Sequence, residues 1–129
     1  MFLLHSTDDG RIPSLEYLPA GSFSRKAGTP LTMTGGKLAI ATGTTKPLYI
    51  LAAERASAVS GEIVPVFRVD PDMIFETTFS VSASAVSIGQ KVTIANGGTS
   101  VTATTADGVA EVVYMSGTAA GDMCRVRFA

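Results

Sequence analysis

The chain has no tryptophan, one cysteine and one histidine, and charged residues fill only 16% of its 129 positions. Each scarcity removes a class of function. A single cysteine leaves no intrachain disulfide and no dithiol redox pair. One cysteine and one histidine cannot make an ordinary zinc site. The lone histidine, His5, stands in the N-terminal segment with no Gly-x-Ser-x-Gly elbow nearby. A hydrolytic triad therefore has no base in a suitable setting, and His5 reads as an exposed or interface residue. Three tyrosines and no tryptophan offer few faces for sugar stacking, which counts against a carbohydrate-binding module. Long apolar runs are missing too. Met1-Phe2-Leu3-Leu4 stops at His5 and is followed by Asp8-Asp9, so neither a signal peptide nor a membrane span is expected. The expectation is a non-enzymatic, soluble product of the cytoplasm with no cofactor and no membrane partner.

Charge of one sign is also lacking. Ten basic residues face eleven acidic ones, for a net charge of -1, and no Lys or Arg run is dense enough to track a phosphate backbone. Nucleic acid is therefore not an expected direct partner. Near-zero charge together with a mean hydropathy of +0.32 gives weak self-repulsion, which suits a surface covered by other subunits. Assembly, as a homo-oligomer, is favoured over life as a dilute monomer.

Hydrophobic residues make up 46% of the chain, enough for one real core in a domain of this length. Their arrangement is β throughout. Residues 1–28 carry Pro13 and Pro19 with Gly10, Gly21 and Gly28, a spacing that disfavours a long helix or a central strand and reads as an extended arm. Residues 29–129 read as a single β domain, a small barrel or a β-tulip or sandwich. Thr34-Gly35-Gly36 separates two apolar runs as a tight hairpin turn would, and Pro47 to Ala53 is a candidate buried strand running into a bend around Ser57 to Gly61. Glu62 to Val69 alternates, with Pro65 arguing for an edge or a bulge. After the Asp70-Pro71-Asp72 turn, Met73 to Phe79 is expected to pair antiparallel with it. Asn96-Gly97-Gly98 and Asp107-Gly108 mark further turns, and Met123 to Phe128 is the last strand.

Three groups of residues could carry chemistry or contact. Asp70, Asp72 and Glu76 form the densest carboxylate set, either a cation or acid/base site or a solvated turn that starts a strand. Arg125 and Arg127 alternate on one face of the last strand, within reach of Glu111, with Cys124 expected on the opposite, buried face. Phe2, Leu3, Leu4, Arg11, Ile12, Leu15, Tyr17, Leu18 and Phe23 put large apolar groups and one arginine in a segment poor in regular structure. Such groups need a surface to cover. The arm either folds back on its own β domain or crosses to a neighbour by strand addition, which makes these residues the candidate partner or subunit interface.

Several stretches resemble a family of small proteins from tailed-phage and prophage head-gene clusters, the capsid decoration or head-stabilising proteins. They are Gly10-Arg11-Ile12-Pro13, Glu16-Tyr17-Leu18-Pro19-Ala20 and Leu31-Thr32-Met33-Thr34-Gly35-Gly36-Lys37-Leu38, then Ala41-Thr42-Gly43-Thr44-Thr45-Lys46-Pro47 and Ile63-Val64-Pro65-Val66. Gly89-Gln90-Lys91-Val92-Thr93-Ile94 and the terminal Gly121-Asp122-Met123-Cys124-Arg125-Val126-Arg127-Phe128 complete the set. The resemblance implies a β-barrel or β-tulip body with an N-terminal arm. It further implies many copies, often as trimers, bound to the major capsid protein lattice on the outer surface of the virion, where they stabilise the shell. The alternative within the same class is another virion β domain, from a tail tube, tail spike or head fibre.

Overall fold

The structure, a computed structural model, describes residues 1–7, 10, 12–55 and 59–129. It is an all-β sandwich of two antiparallel five-stranded sheets. In chain order the strands are β1 (Leu3–Ser6), β2 (Leu15–Pro19), β3 (Pro30–Thr34), β4 (Lys37–Ile40), β5 (Tyr49–Leu51), β6 (Ile63–Arg68), β7 (Ile74–Thr78), β8 (Lys91–Val92), β9 (Ala110–Met115) and β10 (Met123–Phe128). One sheet runs β1-β7-β10-β9-β8 and the other β2-β6-β5-β3-β4. An isolated parallel bridge, Ala20 to Leu38, draws the outer strands of the second sheet together at one end without closing it into a barrel.

Local chemistry explains the turns. Gly35 and Gly36 take φ of +57° and +80° between the paired residues Thr34 and Lys37, the left-handed pair that a two-residue hairpin needs. At Gly108 the limit is space, because a Cβ there would lie 2.3 Å from the Lys91 backbone. Asn96–Gly98 forms a short 3-10 turn, and beyond it Ile94 bridges Val101 while the Thr93 and Thr102 hydroxyls meet at 2.7 Å.

The core has two parts. Between the sheets lie Phe2, Ile50, Phe75, Phe79, Val112, Val126 and Phe128, with Phe67 packed on them. A second, smaller cluster, Leu31, Leu38, Tyr49, Leu51, Val64 and Val66, fills the hollow of the curled second sheet. Alternation along β5 explains the division: Ile50 faces the first core, whereas Tyr49 and Leu51 face the second.

Two expectations need correction. Pro65 sits on an interior strand, since β6 lies between β2 and β5. The cost is confined to one ladder bond: the Pro65 carbonyl still accepts from Ala52 N–H at 3.0 Å, and only the return donor is missing. The Asp70–Asp72 turn also does not join a hairpin. It carries the chain from one sheet to the other, so β6 and β7 face each other across the core, with the Phe67 and Phe75 rings stacked at 6.2 Å.

The described residues among 1–28 lie on the chain's own two sheets. They supply the outermost strand of each, β1 beside β7 and β2 beside β6. The segment is thus woven into the sandwich rather than laid over it.

Candidate functional site

Strand pairing sorts the candidate contact residues of the first 28 positions. In β1, Leu4 stands opposite the buried Phe75 and packs inward, while Leu3 stands opposite Glu76 on the outer face and is 60% exposed. Phe2 is fully buried, with its ring 5.3 Å from that of Phe128 and its N–H donating to the Gly28 carbonyl at 3.0 Å. It anchors the segment and presents nothing to a partner. Arg11 lies outside the described residues, as do Asp8, Asp9 and Ser57.

In β2 the alternation continues. Leu15 and Tyr17 are 50% and 64% exposed, while Leu18, on the other face, packs against the second core. Phe23 packs there too, beneath the Arg25 guanidinium at 4.6 Å from the ring centroid. Ile12, in the connection between β1 and β2, is 91% exposed. The structure therefore leaves Leu3, Ile12, Leu15 and Tyr17 available for contact and commits Phe2, Leu4, Leu18 and Phe23 to packing.

One contact residue escaped the sequence reading. Ile63 pairs with Pro19 and so shares the face of Leu15 and Tyr17, where it is 55% exposed. Its place in an alternating run hid it, because the same face of β6 is buried two positions on at Pro65.

The carboxylates are not brought together as one site. Asp70 and Asp72 line an open cleft of about 270 Å³ with Ile12, Pro13, Glu16 and Arg68. Glu76 lies instead on the outer face of the first sheet, 3.9 Å from Arg125 and 4.0 Å from His5. Among the described residues no three His, Cys, Asp or Glu side chains gather as a metal-binding group. In the cleft wall, Arg68 grips both carboxylate oxygens of Glu16 at 3.2 Å and donates to the Tyr49 hydroxyl at 3.2 Å. The bond to Glu16 is the main cause that holds the Arg68 pKa above its ordinary value.

On the last strand Arg127 meets Glu111 at 3.1 Å, while Arg125 turns to Glu76 and lies over the Tyr114 ring at 4.8 Å. Cys124 faces the opposite way and is fully buried, and burial pushes its thiol pKa up to about 12. It is inert as a nucleophile at neutral pH. No helix among the described residues is long and apolar enough to cross a membrane.

The arrangement can bind. Its distinctive feature is a set of exposed apolar side chains at and near the outer edge of β2, carried by a two-sheet body. No protein-family model matches the chain, and no curated protein matches it either.

Proposed function

We propose that the chain is a structural virion protein, a capsid decoration protein that binds the outer surface of a tailed-phage head and stabilises the shell. The observation that supports this reading is the fate of the N-terminal segment. It forms the outermost strand of both sheets and leaves Leu3, Ile12, Leu15 and Tyr17 exposed on a body pinned from inside by Phe2. A cementing protein needs area, shape and repetition, and no titrating group. Many modest contacts on one lattice add up through multivalency. Its partner would be the major capsid protein lattice, and its place the virion exterior.

Deleting residues 1–28 would remove two strands and a core phenylalanine, so point changes make the better test. Purified chain is titrated onto purified expanded heads of the source phage, alongside Leu3→Ser and Ile12→Ser. Saturable binding that weakens at least about tenfold in the double variant, equivalent to a loss of roughly 1.4 kcal/mol, supports the reading. A folded wild-type chain that does not bind heads overturns it and moves a tail or head-fibre role to the front.

A further inference from the structure

The outer edge of β2 meets β4 just past its C-terminal end, where Ala20 bridges Leu38 and Gly21 N–H donates to the Leu38 carbonyl at 2.8 Å; nearer its start, outward hydrogen-bonding groups stay without a partner among the described residues. In the β2–β6 pair, Tyr17 stands opposite Pro65, Glu16 opposite Val66 and Leu18 opposite Val64. The Pro65 carbonyl points to β5, where it accepts from Ala52, so Pro65 turns its backbone polar groups away from β2. Tyr17 is then in a non-hydrogen-bonded pair, and its own N–H and C=O face outward. Alternation sends those of Leu15 outward as well, and those of Glu16 and Leu18 towards β6. The bond from Ala20 N–H to the Glu62 carbonyl continues this even-numbered series. Pro19 also falls at an outward position but has no donor, and neither does Pro13 just before the strand. The free edge is a short window at Leu15 and Tyr17, framed by prolines.

We propose that this window pairs antiparallel with the same window of a second copy of the chain, about a two-fold axis at Glu16. It rests on the reading of this side as a contact surface and names its occupant. In that register Leu15 lies opposite the second copy's Tyr17 and Tyr17 opposite its Leu15, so every outward donor and acceptor of the two residues finds its complement. The side chains match as well. On one face, exposed Leu15, Tyr17 and Ile63 of the two copies form a continuous apolar strip with aliphatic–aromatic cross-strand pairs. On the other, Glu16 meets Glu16, each already neutralised by its own Arg68. Shifting the axis to Tyr17 would drive the Pro19 ring into the opposing Leu15 carbonyl, so the prolines select the register. A foreign strand would have to match this narrow window, whereas β2 matches itself, and a net charge of -1 opposes the meeting little. The contact is two-fold and isologous, independent of the three-fold arrangement that the resemblance implies.

Mass in solution across a concentration series is the test, with Tyr17→Pro and Tyr17→Lys as variants and Ile88→Ser, an exposed apolar site elsewhere, as control. Proline at 17 removes an outward donor and no bond to β6. The wild type and the control are expected to reach twice 13.3 kDa as concentration rises. Both Tyr17 variants should stay at 13.3 kDa, with dissociation constants raised at least about tenfold. Amide exchange gives a readout without mutation. Leu15 and Tyr17 N–H should become protected only at concentrations where the mass doubles, while Glu16 and Leu18 are protected throughout. A monomer at all concentrations, a trimer, or a dimer in which Leu15 and Tyr17 amides still exchange freely would each overturn the pairing. Head binding by a strictly monomeric chain would overturn the pairing alone, and a dimer that ignores heads would overturn the capsid reading alone.

Discussion

The two parts of the core are built on different plans. The inter-sheet core draws on residues from Phe2 to Phe128 and, among many aliphatic side chains, carries Phe2, Phe128, Phe75 and Phe67 in a chain of ring contacts at 5.3, 5.4 and 6.2 Å. The core inside the curled sheet draws its buried residues from Ala20 to Val66 only and is largely aliphatic. Its ends are polar. At one end Arg68 bonds Glu16 and Tyr49; at the other, where Ala20 joins Glu62, Arg25 is 3% exposed and holds the chain by several bonds. Its guanidinium donates to the carbonyls of Gly21, Phe23 and Val59 at 2.7, 3.0 and 2.8 Å and to Glu62 at 3.2 Å. A core assembled from distant segments can rely on area alone. A small core assembled from neighbouring ones needs its ends tied.

The sharpest way to break this comparison is to cut one residue from each core. Phe75→Ala should cost about 4 kcal/mol, the usual loss for a buried phenylalanine with its cavity, and should lower amide protection in both sheets alike. Leu51→Ala should cost about 3 kcal/mol and deprotect β3 to β6 before β9 and β10. Equal loss of protection across both sheets in the Leu51 variant would mean that the two cores melt as one.

Arg25 sharpens the comparison at the tied end. Arg25→Met should cost about 3 kcal/mol, because three carbonyls and the Glu62 carboxylate lose their donor where little water can replace it. Arg25→Lys should recover only a minor part of that, since one ammonium lacks the planar fork that reaches all of them. Thermal unfolding of the variants checks both. A fully stable lysine variant would mean that the clamp works as a point charge.

Gly28 is where the two cores are joined. Its N–H donates to Leu51 at 2.8 Å and its carbonyl accepts from Phe2 at 3.0 Å, at a φ of +86°. A Cβ there would stand 3.0 Å from the Phe2 carbonyl oxygen and 3.2 Å from its nitrogen. Gly28→Ala should therefore cost about 2 kcal/mol through the left-handed backbone and the crowding together. A loss of amide protection at β1 larger than that at β9 would show that the anchoring of Phe2 is what fails.

How much of this was legible in the sequence follows from the same contrast. Periodicity and turn chemistry are local, and they located the Gly35-Gly36 hairpin and β10 with Cys124 inward. Sheet membership is non-local. Nothing in Asp70-Pro71-Asp72 distinguishes a hairpin from a crossing between sheets, and Pro65 reads as an edge residue until β2 and β5 are seen on either side of it. At the candidate surface, the large apolar residues were visible as a group, but their division into anchors such as Phe2 and exposed groups such as Tyr17 depends on which strand each one faces. Arg25 gave no signal at all, because its partners are mostly backbone carbonyls, which any sequence supplies.

At neutral pH Cys124→Ala gives the smallest expected effect, and Cys124 is the most specific probe of the inter-sheet core. Its thiol is held neutral by burial, with a pKa near 12 in the folded chain against an ordinary 9.0 when exposed. A raised folded-state pKa means that the folded chain binds more protons than the unfolded one between those values. The thiol's contribution is therefore fully present below about pH 9 and declines as pH rises towards 12. Stability measured by denaturant titration should fall over that range in the wild type, and less steeply in Cys124→Ala, although the variant starts lower by the small cavity that it leaves. Thiol labelling at neutral pH should likewise require opening of the inter-sheet core, and so slow in step with global stability. Parallel alkaline limbs in the two proteins, or rapid labelling of the folded chain, would mean that water reaches the strand pair β7–β10 and that this core is looser than its aromatic packing implies.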